Sequence, residues 1–184
     1  LKIGPFDLCE TVRQVLISFE KNIGDKGLSL DLSMGDETIM ARGDADAIHR
    51  VVYNIVDNAV KFVPQGGELR IELDKKDRQA VCSICNSGEG VPAADLPHLF
   101  DRFYKTDKSR SLDRRGSGLG LYIAKTIIDR HGGSIKADSV PGESCTITFT
   151  LPLYQQRPTV ADIVSGKPGR AERTEEQPEP EETP

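Results

Sequence analysis

Three short clusters of polar residues and glycines occupy set places in the secondary-structure pattern of this chain and limit the folds available to it. The first, at 54–61, lies inside a helical pattern; the second, at 86–90, closes a strand; the third, at 116–120, opens another helix. Polar side chains suit a metal ion and a base, and glycine-rich turns let the backbone approach a ligand. Together they predict a nucleotide pocket more specifically than any one cluster does.

Apolar residues at helical spacing predict three helices. Asp7 is the expected N-cap of the first, whose apolar face runs over 8–23. Asp44 begins the second, which has to end before Pro64. The third follows the last glycine cluster and covers 121–130. A shorter helical piece is expected at 93–100, outside these three.

Alternating apolar and polar residues predict the strands. They are expected at 28–32, 39–41, 68–74, 80–85, 134–138 and 145–151. The last four pair as two antiparallel hairpins, and the first is expected to be half-buried. The predicted fold class is therefore α+β, a two-layer sandwich in which a mixed, mostly antiparallel sheet is covered on one face by three helices.

Composition is that of a soluble domain with a polar appendage. The net charge of −5 gives no attraction to nucleic acid, and no nucleic-acid partner is expected. No apolar run is long enough to span a membrane, and no signal peptide is visible. The chain begins at Leu1 without an initiator Met, so we expect a fragment whose membrane anchor, if any, lies upstream.

The four cysteines include the spacing Cys82-x-x-Cys85, which invites a metal or redox interpretation. The segment around them has a strand pattern, and residues three apart on a strand point to opposite faces. We therefore predict ordinary buried thiols in a reducing, cytosolic compartment.

Asn54, Asn58 and Lys61 are spaced i, i+4 and i+7, so they share one face of the second helix. An amide oxygen suits Mg²⁺ that also binds phosphates, and a lysine suits phosphate oxygens. A solvated helix face is the alternative. In the second cluster, Asn86 would bind the exocyclic amine of a purine that packs on backbone; simple turn chemistry explains the glycines as well.

The third cluster places free N–H groups and a helix dipole where an anion binds. It lacks the Walker ending, and it does not follow a strand as in a dinucleotide fold. The segment 102–115, here called the lid segment, holds six basic and two acidic residues and is predicted to close over phosphates. Phe100 and Phe103 would hold the base of the lid segment in the core. The alternative for the lid segment is a solvated loop, and the alternative for the two phenylalanines is plain core packing.

The segments 54–61, 86–90, 99–104 and 116–121 resemble, in order, the N box, first glycine box, F box and second glycine box of the catalytic ATP-binding domain of sensor histidine kinases. These belong to the wider family of Bergerat-fold ATPases. The likeness covers about 5–152. Its most specific phrases are Asn54-Ile-Val-Asp-Asn58-Ala-Val-Lys61-Phe62 and Leu99-Phe-Asp-Arg-Phe-Tyr-Lys105.

This resemblance implies that ATP and Mg²⁺ are the cofactors and that Asn58 coordinates the metal. Asn54, Lys61 and Lys105 would act on the phosphate side as catalytic residues. Contacts with the nucleotide are also implied for Asn58, Asn86, Gly88, Gly90, Val91, Phe100, Arg102, Phe103, Gly116, Ser117, Gly118, Leu119, Gly120 and Leu121.

Two departures from the family pattern matter. Asn86 stands where the first glycine box usually has Asp, so weakened or altered nucleotide affinity is expected, though not its loss. The chain's three histidines precede Arg50, Leu99 and Gly132 rather than an acidic residue, so none fits the phosphoacceptor and all three are expected to be structural or surface residues.

The resemblance implies a protein-histidine kinase. It would transfer the γ-phosphoryl of Mg²⁺-ATP to a His on a separate dimerisation domain, for relay to the receiver domain of a response regulator. The full protein is expected to be a membrane-anchored homodimer with this domain in the cytosol, and the fragment alone to be monomeric. Residues 1–5 would end an upstream linker or dimerisation region, 6–153 form the catalytic domain, and 154–184 a disordered tail rich in Pro and Glu.

Two alternatives remain. The first is a nucleotide-sensing scaffold without kinase activity, which is compatible with Asn86 in the usual position of Asp. An ATP-hydrolysing enzyme of the gyrase group is disfavoured, because that group has Glu as general base at the position of Asn54, and an amide cannot act as that base.

Overall fold

The computed structural model describes residues 1–35, 38–105 and 118–155. The chain divides into two units, Leu1–Tyr154 and Gln155–Pro184, and every helix and strand described below belongs to the first. Most of the predicted lid segment, with Gly116 and Ser117, and the predicted tail from 156 onward lie outside the described residues. No helix among the described residues has both the length and the apolar character needed to cross a bilayer.

Within the described part of the chain, seven strands form two sheets. The strands are β1 Gly4–Asp7, β2 Ser29–Ser33, β3 Met40–Gly43, β4 Glu68–Lys76, β5 Gln79–Ser87, β6 Ile135–Val140 and β7 Ser144–Pro152. The main sheet has the order β2-β4-β5-β7-β6, in which β2 and β4 are parallel and the other pairs antiparallel. β1 and β3 pair antiparallel in a second, two-stranded sheet.

The described residues also form four helices. They are α1 Leu8–Ser18, α2 Glu20–Asp25, α3 Ala45–Phe62 and α4 Gly120–Arg130. The predicted piece at 93–100 is reduced to a single 3₁₀ turn, Leu96–His98. Asp7 and Asp44 accept backbone N–H groups as the N-caps of α1 and α3, as predicted.

The core lies between the helices and one face of the main sheet. Every second residue is buried in β5, in β7 and in β4 up to Leu73, and the buried set is continuous with the apolar faces of α1, α3 and α4. The opposite face carries Arg70, Glu72, Ser83, Thr146 and Thr148, which are exposed or partly exposed. The predicted two-layer α+β architecture is thus confirmed.

The first helix differs from its prediction, which ran continuously over 8–23. The backbone leaves helical geometry at Phe19, with φ −102° and ψ 2°, and α2 follows as a separate short helix. Phe19 is buried at this break, and its ring centroid lies 5.0 Å from that of Tyr53. This long-range contact is not visible in helical periodicity.

The N-terminal segment and β2 also differ from expectation. β1 was not predicted, and it includes Gly4 and Pro5, which had been assigned to a linker. The expected half-burial of β2 is wrong: all five residues are exposed, including Leu30 at 42% and Leu32 at 37%. The reason is its place at the edge of the sheet, where it has one neighbouring strand and little cover.

Cys82 and Cys85 point to opposite faces of β5, as the strand pattern predicts. Cys82 is fully buried in the core, whereas Cys85 lies partly exposed on the polar face. Burial raises the pKa of the Cys82 thiol far above its ordinary value, and burial raises that of Cys145 to about 11. Neither of these two buried thiols is activated.

Candidate functional site

The first and third clusters meet because α3 and α4 pack side by side. Gly120, the first residue of α4, lies against Asn54 in the middle of α3: a Cβ at Gly120 would stand 3.8 Å from the Oδ1 of Asn54. At the other end, His131 after α4 contacts Asp44 before α3. The two helices are therefore antiparallel, and the start of α4 is directed at the polar face of α3.

The contact at the far end is made by a histidine in a defined tautomer. Nε2 of His131 accepts the backbone N–H of Asp44 at 3.0 Å, while Nδ1 lies 2.7 Å from the carbonyl of Ile127, which can only accept. The ring is thus neutral, with its proton on Nδ1. His131 is a structural residue, as expected, but its link between the two helices was not predicted.

Asn54 presents an unsatisfied donor to this site. Its Nδ2 is buried and has no hydrogen-bond partner among the described residues. A buried donor left unpaired costs about 1–3 kcal/mol, so such an atom marks a place where a ligand oxygen would be favoured. An NH₂ group cannot bind a metal, and this orientation therefore suits a phosphate oxygen or a water.

Lys61, on the same face of α3, interacts electrostatically with Lys105 from another part of the chain. Burial is the main factor that lowers the pKa of Lys61 in the last turn of α3; the charge of Lys105 lowers it further, and Asp57 acts in the opposite direction. Lys105 is the last described residue before the undescribed part of the lid segment. Two like charges held close together form a site that a polyanion would stabilise.

In the second cluster, Asn86 is a buried residue of the central strand β5, paired with Leu69 of β4 and Cys145 of β7. Its Nδ2 donates to the carbonyl of Ser87 at 3.1 Å. Because that carbonyl can only accept, the amide orientation is fixed by it. Oδ1 is left as the acceptor, which is the atom that an exocyclic amine requires.

The two glycines of this cluster are explained by protein packing. Gly90 has φ +67°, and a Cβ there would lie 2.7 Å from the Oγ of Ser139 and from the carbonyl oxygen of Val140. The adjacent N–H of Val91 donates to the same Oγ at 2.8 Å. The turn-and-packing alternative accounts for Gly90 without a ligand.

Gly88 connects the second cluster to the first. Its φ is +140°, and a Cβ there would meet the Cδ of Pro64 at 3.3 Å and the carbonyl oxygen of Phe62 at 3.4 Å. Its N–H donates to the carbonyl of Glu143 at 2.9 Å. The turn after β5 therefore packs on the C-terminal end of α3, next to Lys61.

Phe103 of the F-box segment lies against the residues that lead into α4, not in the core. Phe103 has φ +64° and is 60% exposed, so the prediction that it holds the lid base in the core is wrong; Phe100 does pack against the core. The N–H of Phe103 donates to the carbonyl of Gly118 at 3.2 Å. A Cβ at Gly118 would stand 3.0 Å from the carbonyl oxygen of Tyr104, which explains the glycine. The guanidinium of Arg102 lies 4.7 Å from the Phe103 ring centroid.

Comparison with known proteins decides the family. The family described as "Histidine kinase-, DNA gyrase B-, and HSP90-like ATPase" matches residues 43–155, which include all three clusters. The chain belongs to this family.

Sensor kinases are among the relatives of this chain. Sensor histidine kinase WalK of Bacillus subtilis (strain 168) is 36% identical over 153 residues, 82% of this chain and 23% of WalK. The chain thus spans about a quarter of that relative. The nucleotide-free catalytic domain of histidine kinase ThkA is 27% identical with a TM-score of 0.73 and covers 83% of this chain and 96% of its own.

ThkA has also been solved in complex with the response regulator protein TrrA. That structure is 25% identical to this chain with a TM-score of 0.70, and the match covers 83% of this chain and 42% of the ThkA chain. The recognised histidine kinase resemblance is therefore confirmed within this ATPase family.

The side chains of the site fit only a magnesium ion that is bound by few protein oxygens. Among residues 1–35, 38–105 and 118–155, no group of three His, Cys, Asp or Glu side chains is placed to hold a metal. Mg²⁺ commonly binds one or two protein oxygens together with waters and nucleotide phosphates. The half-buried Asn58, one turn before the end of α3, matches that limited role.

Sequence reasoning missed two residues that hold the helices of the site in place. His131 links α4 to the N-cap of α3, and Lys26 donates from Nζ to three carbonyls at the C-terminal end of α3. Neither lies in a motif with local periodicity. Both act across more than thirty positions of sequence, which is why no local signal points to them.

Proposed function

We propose that this chain is the catalytic ATP-binding domain of a sensor histidine kinase, which binds Mg²⁺-ATP and delivers its γ-phosphoryl group to a His of a separate dimerisation domain. The observation that carries the proposal is the convergence of three features on one face of α3. The unpaired NH₂ of Asn54, the first residue of α4 and the Lys61–Lys105 pair all favour phosphate oxygens.

In this proposal each residue has one task. Lys61 and Lys105 neutralise phosphate charge, Asn54 donates to a phosphate oxygen or its water, and Asn58 would bind the metal through its amide oxygen. When bound, Mg²⁺ would neutralise charge that develops on the phosphoryl oxygens. Asn86 accepts the adenine amine through Oδ1, the atom that its bond to the Ser87 carbonyl leaves for a ligand.

The proposed chemistry is transfer rather than hydrolysis. Phosphoryl transfer depends mainly on positioning and charge stabilisation, and this arrangement supplies both. Activation of water at the position of Asn54 would require a base, and a carboxamide has no basic atom to accept the proton. Sustained ATP turnover by the domain alone would favour the hydrolase alternative instead.

The proposed partners are the phosphoacceptor domain of the same protein and a response regulator. The ThkA–TrrA complex supports the second partner, and the quarter-length match to WalK supports a longer parent protein. We propose that this parent is a membrane-anchored homodimer with the catalytic domain in the cytosol and that the isolated chain is monomeric. The scaffold alternative, with which Asn86 is compatible, predicts that calorimetry detects no binding of nucleotide even at millimolar nucleotide.

The test is a phosphotransfer assay with separated parts. The chain is mixed with labelled Mg²⁺-ATP and an acceptor domain from its own parent protein, and label on the acceptor's His is measured. We expect transfer by the wild type, strongly reduced transfer by Lys61→Met, and unchanged transfer by Lys136→Met, which removes an exposed lysine from β6. Nucleotide binding without any transfer would contradict the kinase proposal.

A further inference from the structure

Lys26, at the C-terminal cap of α2, lies outside all three clusters. Its Nζ donates to the carbonyls of Val60, Lys61 and Val63, at 2.7, 3.1 and 2.9 Å. The last carbonyls of a helix have no partner within the helix. One side chain from another helix therefore satisfies the end of α3.

Three donated bonds require the charged form of Lys26. An ammonium has three N–H donors, whereas a neutral amine has two. Burial lowers the pKa of Lys26, but the carbonyls and the negative end of the α3 dipole both favour the cation. The contact is thus a charge-assisted cap rather than a packing contact of the aliphatic stem.

The cap is part of a connected set of hydrogen bonds between two loops. The carbonyl of Lys26 accepts the N–H of Gly66 at 2.8 Å, and Nε2 of Gln65 donates to the carbonyl of Asp25 at 3.2 Å. The side chain of Lys26 thus donates to carbonyls at the end of α3, and its backbone carbonyl accepts from the loop that follows α3. The loop after α3 is held against the turn after α2.

The same end of α3 carries the candidate site. Lys61 is in its last turn, and the Cδ of Pro64 and the carbonyl oxygen of Phe62 lie 3.3 and 3.4 Å from where a Cβ of Gly88 would be. A shift of this turn would move Lys61 relative to Lys105 and change the surface under Gly88. Small displacements of positioning groups have large effects on ligand binding and transfer.

We propose that Lys26 is a positioning residue of the nucleotide site, whose ammonium fixes the last turn of α3 and with it Lys61 and the surface under Gly88. This inference depends on the proposed function, because it concerns the same site. Lys26 itself touches no ligand in this proposal. It acts through the backbone of the residues that do.

The experiment compares Lys26→Met with Lys21→Met, which removes the same charge from an exposed position of the same helix. The dissociation constant of the ATP analogue AMP-PNP with Mg²⁺ is measured by calorimetry at a temperature where urea denaturation shows both variants folded. We expect Lys26→Met to raise the constant at least about tenfold, which corresponds to about 1.4 kcal/mol of binding free energy, because Lys61 and the surface under Gly88 are displaced. Lys21→Met should leave it unchanged, and Lys26→Arg, which keeps a cation with several donors, should restore most of the affinity.

A purely structural role for Lys26 would lower the denaturation midpoint and leave the dissociation constant of the folded variant unchanged. That result, or an equal loss in Lys21→Met, would overturn the inference. If Lys26→Met does not fold, Lys26→Gln replaces it, because the Gln amide keeps two N–H donors without a charge. Wild-type affinity in Lys26→Gln would again overturn the inference. A wild type that binds no nucleotide would count against the proposed function instead.

Discussion

His131 and Asp44 are joined by a hydrogen bond of 3.0 Å, from the backbone N–H of Asp44 to Nε2 of the ring. The bond connects the residue that ends α4 to the residue that begins α3, and the carbonyl of Ile127 holds the other side of the ring. It lies at the opposite end of the helix pair from Asn54 and Gly120. This hydrogen bond therefore helps to set the orientation of α4, and with it the position of the α4 N-terminus at the site.

We expect His131→Leu to lower the free energy of unfolding by about 1–3 kcal/mol, because the partly buried N–H of Asp44 loses its acceptor. Urea denaturation followed by circular dichroism measures the change. His98→Leu is the control: that ring is exposed where it contacts Asp101 and the Tyr104 ring, so its effect should stay within about 0.5 kcal/mol. Equal effects of the two substitutions would show that the helix link contributes nothing.

Gly90→Ala tests whether this glycine serves packing. The new Cβ would enter the space of Ser139 and Val140, besides adopting a left-handed backbone. Gly66 is the control: its φ of +69° is nearly that of Gly90, +67°, and no atom lies within 4 Å of where its Cβ would be. Gly66→Ala should therefore destabilise the protein only through the left-handed backbone, by about 1–2 kcal/mol. Gly90→Ala should cost about 1–3 kcal/mol more. Equal melting temperatures of the two variants would refute the packing role.

Thiol labelling tests the two faces of the sheet. In the native protein at pH 8, Cys85 should react first, because Cys82 and Cys9 are buried and the pKa of Cys145 is raised to about 11. At that pKa only about one Cys145 in a thousand is a thiolate at pH 8. Mass spectrometry after brief alkylation should find one modified cysteine, and Cys85→Ser should abolish the rapid reaction. Rapid modification of Cys82 would contradict the strand register.

Nucleotide affinity should fall at alkaline pH. A bound polyanion favours charged Lys61, and the pKa of this group is lowered from 10.5 by burial and, in smaller part, by Lys105. Binding is therefore strongest below that lowered pKa and is lost as pH rises through it. Lys105→Met should weaken binding at neutral pH but move the alkaline loss to higher pH, because a like charge is removed. Calorimetry across alkaline pH measures both effects; a loss at the same pH in both proteins would exclude the Lys61–Lys105 coupling.

Asn86→Asp should strengthen nucleotide binding and weaken the fold. A carboxylate accepts the adenine amine in a stronger, charge-assisted bond, so the gain in affinity should be about tenfold. The same carboxylate is buried and faces the Ser87 carbonyl with no N–H to donate, so unfolding becomes easier. Calorimetry and urea denaturation report the two effects, and Asn22→Asp on exposed α2 is the neutral control. A gain in both affinity and stability would refute the assigned amide orientation.

Local signals in the sequence were enough for much of the fold. Asp7 and Asp44 were identified as N-caps because capping chemistry is confined to one helical turn. The apolar face of α3 and the two hairpins follow from periodicity alone. The order of the three clusters was enough to recognise the family.

Features that depend on distant parts of the chain could not be predicted. Alternation in β2 indicates a strand but not its place at the sheet edge, and helical spacing does not show that Phe19 turns inward to Tyr53. The reason for Gly90 lies in the hairpin of β6 and β7, and the partners of Lys26 lie on α3. Each of these follows from a tertiary contact.

The hydrogen bond between Phe103 and Gly118 has a mechanical consequence. Because the F-box segment and the residues that lead into α4 are joined backbone to backbone, a displacement of either one is transmitted to the other.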